Sequence, residues 1–320
     1  IYNRIQIGKG WFKEIKTICP DCIIWDTENP YPERHPHIII SMETKAIRLP
    51  EWYRLKIGTL IIDEVDTFCT VKRKELFLGF QPKYTIFETA TLEKENGLHR
   101  IATMISGENG VFEISDTPYY VFVVKTNIMG AEVKGKSGLV TAHTQKSLIN
   151  NKIRQDIVID IIKKNLHRKF ICMRRIKDGI EEFVEKIRSN GISADCLYGS
   201  KKKYSQSHVL VGTLSKMGYG FDEANACEDY YTNPERSNVM IIENSIKRAF
   251  LFEQAKGRLR VDKKTVITNE NKPVIIWLMD ENASVFNHFT SIIPWIRKTN
   301  GEILWFEDHT KLIIPGNISV

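Results

Sequence analysis

Short continuous apolar runs alternate along this chain with stretches whose apolar residues recur every three or four positions, and that alternation sets the expected fold. Thr59 to Ile62, inside GTLIIDEVD (58–66), is one such run, and His37 to Ser41, Lys83 to Phe87, Tyr119 to Lys125, Phe170 to Met173, Ala194 to Tyr198, His208 to Gly212 and Lys272 to Met279 are the others. Runs this short and this rich in aliphatic residues predict strands buried on both faces, as in a parallel sheet with helices on either side. Between them, Trp11, Ile15 and Ile18 define an amphipathic helix stopped by Pro20, after a strand end and basic turn. Helical spacing returns over 146–166 (Ile153, Ile157, Ile161, Ile162), 179–189 and 245–256, and 94–106 reads as helix or turn. Two consecutive blocks of alternating strand and helix predict an α/β protein of two tandem domains with mostly parallel sheets. The expected division is 1–117 and 118–320, with the junction between about 115 and 145, near the Gly- and Lys-rich loop 130–138.

Composition narrows the class without naming it. A chain of 320 residues suffices for two cores, and 42% hydrophobic with 27% charged residues is an ordinary globular balance. The apolar runs fall well short of the roughly 18 residues that span a bilayer, so a soluble, intracellular protein is expected, with no membrane partner. A net charge of +7 favours a polyanionic partner. The six cysteines lack the spacing of a disulfide framework, which fits a reducing compartment. Only Cys19-Pro-Asp-Cys22 resembles a metal or redox pair, and without a second ligand pair free thiols are expected there.

The chemistry gathers at strand ends. Asp63, Glu64 and Asp66 follow the 59–62 run directly, at the carboxyl edge where open α/β sheets bind ligands. There Asp63 can hold Mg²⁺ while Glu64 polarises a water for attack on a phosphate, although acidic residues also simply cap strands. Thr89 and Thr91 follow the next strand, where hydroxyls can bond a neighbouring strand's carboxylates or cap their own backbone. Lys134 to Gly138, KGKSG, lacks the full spacing of a phosphate-binding loop.

In order, DEVD (63–66), TAT (89–91), VGTLSKMGYGFD (211–222) and QAKGRLR (254–260) resemble motifs two, three, five and six of superfamily-two helicases. TATLEKENGLH (89–99) looks like a stretch of the XPB-type branch, which includes helicases of large DNA viruses, and 2–15, 38–41 and 275–306 resemble further segments of that branch. The resemblance implies two RecA-like domains with ATP and Mg²⁺ between them. Asp63 and Glu64 would form one wall, and Arg258 would reach from the other toward the γ-phosphate, with Gln254 orienting its helix or the attacking water. Gly220 and Asp222 would face the nucleotide, and Thr89 and Thr91 would couple nucleotide state to domain closure. Arg4, Ser41, Arg174, Arg175, Gly199 and Thr213 would hold the backbone of a nucleic acid, DNA rather than RNA. A solvated strand end is the competing reading of Arg174 and Arg175.

Two departures stand out. The second arginine of motif six is expected at the position of Val261, so Arg260 sits one residue early. No Walker A motif occurs, and with Ile1 rather than Met at the start of a strand-like segment, that motif is expected upstream of Ile1. The implied activity is ATP-dependent unwinding or translocation, with this stretch alone inactive. A non-hydrolysing nucleic-acid clamp and the motor subunit of a restriction or remodelling complex are the alternatives.

Overall fold

A computed structural model describes residues 1–2, 5–89, 97–107, 117–135, 138–139, 141–218, 221–232, 235–259 and 266–316. The chain divides into two compact units, Ile1–Glu113 and Ile114–Val320.

The first unit runs α1 (Ile5–Ile18), β1 (Ile24–Asp26), β2 (Ile38–Ile40), α2 (Glu43–Ala46), α3 (Glu51–Arg54), β3 (Thr59–Asp63), α4 (Lys74–Leu78), β4 (Tyr84–Glu88) and α5 (His99–Ser106). Strands β1 and β2 pair in parallel, as do β3 and β4. Ile1 and Tyr2 bridge the two pairs. Tyr2 N–H donates to Ser41 O (3.1 Å) and Glu43 N–H to Tyr2 O (3.2 Å), while Asp63 N–H donates to Ile1 O (3.1 Å). A cavity of about 600 Å³ lies between β2 and β3, lined by Trp11, Ile15, Ile39, Leu60, Ile61 and Asp63 among others.

Four expectations change here. The strand end and basic turn expected before the first helix are a single backbone bridge at Tyr2 and the opening turns of α1, which already includes Gly8 to Gly10. Ile18 is 84% exposed rather than part of the buried face. Strand β3 is buried on one face only: Leu60 and Ile62 pack with Val65, Phe68 and Phe77, whereas Thr59 and Ile61 are exposed. The register pairs Ile61 with Ile86, also exposed, so one face of this strand pair carries uncovered apolar residues. Cys19 and Cys22 form a disulfide instead of free thiols. The turn after α1 brings their Cα atoms to 5.5 Å, within bridging reach. Cys69, Cys172, Cys196 and Cys227 are buried thiols outside any disulfide.

The second unit is one seven-stranded sheet with flanking helices. Its elements are β5 (Tyr119–Lys125), β6 (Lys134–Gly135), β7 (Gly138–Leu139), α6 (Thr141–Ile149), α7 (Lys152–Lys164), β8 (Phe170–Arg174), α8 (Ile180–Ser189) and β9 (Ala194–Leu197). Then follow β10 (Val209–Thr213), α9 (Leu214–Met217), α10 (Glu223–Ala226), β11 (Val239–Ile242), α11 (Ala249–Lys256), β12 (Val274–Met279), α12 (Ala283–Lys298) and β13 (Gly301–Phe306). The strand order is β13-β5-β12-β11-β8-β10-β9, all parallel. Strands β5, β8, β10, β11 and β12 are buried almost throughout, which is why they read as continuous apolar runs. Helix α8 shows the complementary logic. Ile180, Phe183, Val184 and Ile187 form its buried stripe, with Glu181 and Glu182 in the first turn and Lys186 and Arg188 in the last, matching the helix dipole.

The expected helix 146–166 is two helices. Asn151 starts the second by accepting from Arg154 N–H at 3.0 Å, and Ile153 points to solvent. Residues 245–248 form a loop ahead of α11 rather than its first turn, and Lys134–Gly135 pairs with Gly138–Leu139 inside the expected loop. Among the described residues no helix is long and apolar enough to cross a membrane.

Candidate functional site

In the first unit the acidic residues sit where the parallel pair β3–β4 ends. Asp63 closes β3, and Glu64 turns the chain with a left-handed backbone (φ 53°) into a 3₁₀ turn at Val65–Phe68. That turn buries Asp66 beneath the strand ends. Thr89, just past β4, donates from Oγ1 to Asp66 Oδ1 at 3.0 Å, tying the ends of both strands together. Trp11 Nε1 of α1 donates to Asp63 Oδ2 at 3.2 Å, a partner the sequence did not reveal. Ser41 is buried, its hydroxyl accepting from Thr27 Oγ1 at 2.9 Å and donating to Met42 O at 3.1 Å. Arg4 and Thr91 lie outside the described residues.

In the second unit Gln254 and Arg258 are brought together at the end of α11. Gln254 is buried, and its Oε1 and Nε2 have no hydrogen-bond partner among the described residues. A buried amide left unpaired costs about 1 to 3 kcal/mol, so this is a position with capacity for a ligand. The Arg258 guanidinium reaches back to the loop after α9, donating to Phe221 O at 2.5 Å and Gly218 O at 3.1 Å. Asp222 caps α10 through Ala224 N–H and pairs with Arg236 at 3.0 Å. Gly220 and Arg260 lie outside the described residues.

The expected nucleic-acid residues of this unit divide sharply. Gly199 is exposed at the end of β9 with φ 57°, and its carbonyl accepts from Lys216 Nζ at 3.2 Å. Thr213 ends β10, buried, with Oγ1 accepting from Ser215 Oγ at 3.2 Å. Arg175 is exposed just past β8. Arg174 is a correction: neither a backbone contact nor a solvated strand end, it is wholly buried. Its Nε and Nη2 donate to the two carboxylate oxygens of Glu243 at 3.0 and 2.8 Å, Nη1 donates to Gly179 O at 3.0 Å, and the guanidinium stacks 4.1 Å from the Phe183 ring. The network continues, because Arg154 donates to Glu243 O (2.7 Å) and to Asp280 (2.9 Å), and Asp280 accepts from Thr126 Oγ1 (2.7 Å). Buried charges persist only when paired in this way. The four strand ends β8, β11, β12 and β5 are thereby fastened to α7.

These strand-end carboxylates are hard oxygen donors of the kind Mg²⁺ takes, usually one or two per ion with phosphates and waters completing the shell. Among the described residues no group of three or more His, Cys, Asp or Glu side chains is placed to hold a metal alone.

Two α/β units with parallel strand pairing, carboxylates at the strand ends of the first and the glutamine–arginine helix in the second, have a tandem RecA-like fold. In sequence, the chain is 22% identical over 342 residues to the protein named "Putative helicase 161L" of Invertebrate iridescent virus 6, across 94% of this chain and 70% of that protein. In structure it is similar to Saccharomyces cerevisiae Dbp5 bound to RNA and ADP BeF3, with TM-score 0.58 and 13% identity, covering 96% of this chain and 76% of Dbp5. It is also similar to Mycobacterium smegmatis helicase Lhr bound to ssDNA and AMP-PNP, with TM-score 0.56 and 12% identity, covering 95% of this chain and 42% of Lhr. No family model matches the chain.

Proposed function

We propose that the protein is a nucleic-acid-dependent ATPase of the XPB-type helicase branch, using ATP and Mg²⁺ to translocate on or unwind nucleic acid, with residues 1–117 as the ATP-binding domain and 118–320 as the helicase C-terminal domain. The observation that carries this reading is the Asp63-Glu64 end of β3, locked to the end of β4 by the Thr89–Asp66 hydrogen bond. A carboxylate pair held this firmly supports metal binding by Asp63 and water activation by Glu64. Gln254, buried with its amide unpaired, and Arg258 supply a polar and a cationic group for the γ-phosphate side, Asp222 and Gly220 the flanking loop, and Arg260 a second cation. Arg258 must leave the carbonyls of Gly218 and Phe221 to reach a phosphate, which gives nucleotide binding a direct effect on the loop that follows Thr213. Ser41, Arg175, Gly199, Thr213 and Arg4 are the proposed backbone contacts, and Thr89 and Thr91 the coupling residues. Dbp5 is bound to RNA and Lhr to ssDNA, and DNA is the track proposed for this chain.

The test is ATP hydrolysis by the product of the complete gene, with and without DNA or RNA oligonucleotides, beside Glu64→Gln. DNA-stimulated hydrolysis abolished by Glu64→Gln is the expected result. A protein that binds nucleic acid and hydrolyses no ATP overturns the motor reading in favour of a clamp.

A further inference from the structure

The sheet of the second unit presents a group of basic side chains of which the helicase motifs account for Arg175 alone. Strands β9, β10, β8 and β11 are consecutive neighbours, so their carboxyl ends span roughly 14 Å at about 4.8 Å per strand. The first three ends carry Gly199, Thr213 and Arg175. The fourth leads into the loop 244–248, which is fixed in place from both sides. Glu243 N–H donates to Met173 O at 3.1 Å, which carries β11 past its last strand residue alongside β8. From α12, Ser291 Oγ donates to Lys247 O at 3.0 Å, and His288 Nδ1 shares a hydrogen bond with Ser245 Oγ at 2.8 Å. The loop therefore holds exposed Lys247 beside the helix that carries His288, next to the end of β8 that leads into Arg175. Both cations act electrostatically on the His288 ring and, after its burial, push its pKa down. Among the described residues neither Arg175 nor Lys247 forms an ion pair with a carboxylate.

The position of the His288 ring is set by its support. Buried Gln145 Nε2 donates to Ser245 Oγ at 3.5 Å, and Ser245 Oγ shares a hydrogen bond with His288 Nδ1 at 2.8 Å. When Nδ1 accepts, the neutral ring carries its proton on Nε2 and can donate it. The group thus offers an ammonium, a guanidinium and an imidazole on one edge, with neither cation ion-paired among the described residues, and that combination suits the two non-bridging oxygens of a phosphate.

We infer that Arg175, Lys247 and His288 form a phosphate-binding subsite for a nucleic-acid backbone, extending the track of Gly199, Thr213 and Arg175 by one strand across the sheet. The inference rests on the proposed nucleic-acid reading and adds to it a site and two residues, Lys247 and His288. Contacts of this type position a strand without reading its sequence.

The experiment is fluorescence anisotropy of labelled (dT)20 with the full chain at several salt concentrations, comparing wild type with Lys247→Ala, Lys247→Arg and His288→Ala. Thermal unfolding of each variant is measured alongside. Lys247→Ala is expected to weaken binding about fivefold to tenfold and to lower the slope of log affinity against log salt by about 0.7, the value for one phosphate contact on a single strand. His288→Ala is expected to weaken binding about threefold with a smaller slope change, because it removes a neutral donor, and Lys247→Arg is expected to restore wild-type binding. Wild-type binding with Lys247→Ala and His288→Ala indistinguishable from it in affinity and slope overturns the subsite alone. Absence of binding by wild type overturns the nucleic-acid reading on which it rests.

Discussion

Arg174 and Glu243 stand at the ends of neighbouring parallel strands and close a two-point ion pair with no solvent exposure on either side chain. Glu243 also lies 3.9 Å from Arg154, so one carboxylate serves two guanidinium groups. Truncating it strands Arg174, whereas Arg154 keeps Asp280 and the Glu243 carbonyl. Glu243→Ala is expected to cost about 3 to 5 kcal/mol of stability, the range for one partner of a buried pair. The double variant Glu243→Leu with Arg174→Met is expected to cost much less than the two single changes summed. Urea unfolding followed by circular dichroism measures both, and additive losses would contradict the coupled network.

Thr89→Val keeps shape but removes the donor to Asp66 Oδ1. Because Asp66 is buried, the expected loss is about 1 to 3 kcal/mol. In the motor reading, hydrolysis is also expected to fall while nucleotide affinity holds, checked by titration with a fluorescent nucleotide.

Gln254 poses the reverse trade. Its amide has no partner among the described residues, so Gln254→Met, similar in volume and free of polar atoms, is expected to leave the melting temperature unchanged or raised. ATP hydrolysis by the same variant is expected to fall at least tenfold, an order-of-magnitude loss for a group placed at the reacting phosphate. A variant both less stable and fully active would refute the assignment.

Acid should weaken the second unit through His208. Burial holds its pKa below the ordinary histidine value, and Lys169 adds to the depression while Glu235 opposes it. The unfolded chain binds a proton near pH 6.5 that the folded chain refuses. Stability is therefore complete above about pH 6.5 and declines as pH falls below it. His288, shifted the same way, contributes with the same sign. His208→Phe is expected to flatten part of this decline in urea midpoints measured from pH 7.5 to 5.

The parallel sheet of the second unit was legible because its central strands are buried on both faces, which leaves Tyr119–Lys125 or Val274–Met279 no room for polar alternation. The same rule misread β3, whose Ile61 faces solvent: aliphatic residues report strand propensity wherever they sit, not which face is covered. Strand β11, Val239–Ile242, is only four residues long and gave no separate signal. Missing it hid Glu243, and with Glu243 hidden an arginine at a strand end could not be told from a ligand-binding one. The acidic edge was read from local order along the chain, but the Trp11–Asp63 contact joins residues 52 positions apart, a distance over which periodicity carries no information.

Among the described residues strand β13 is the last in sequence, yet it pairs with β5, the first of its unit, through Gly301↔Tyr119 to Phe306↔Val124. β12 lies along the other side of β5. The opening strand of the unit thus waits with both edges bare until about 150 further residues have been made, and with one edge bare until nearly 180 have, the Tyr119 hydroxyl meeting Thr299 across a separation of 180 positions. Such late closure gives this domain a high contact order and a slow, all-at-once assembly. During synthesis Tyr119–Lys125 is a naked, strongly β-prone segment, the part of the nascent chain most in need of shielding from other chains.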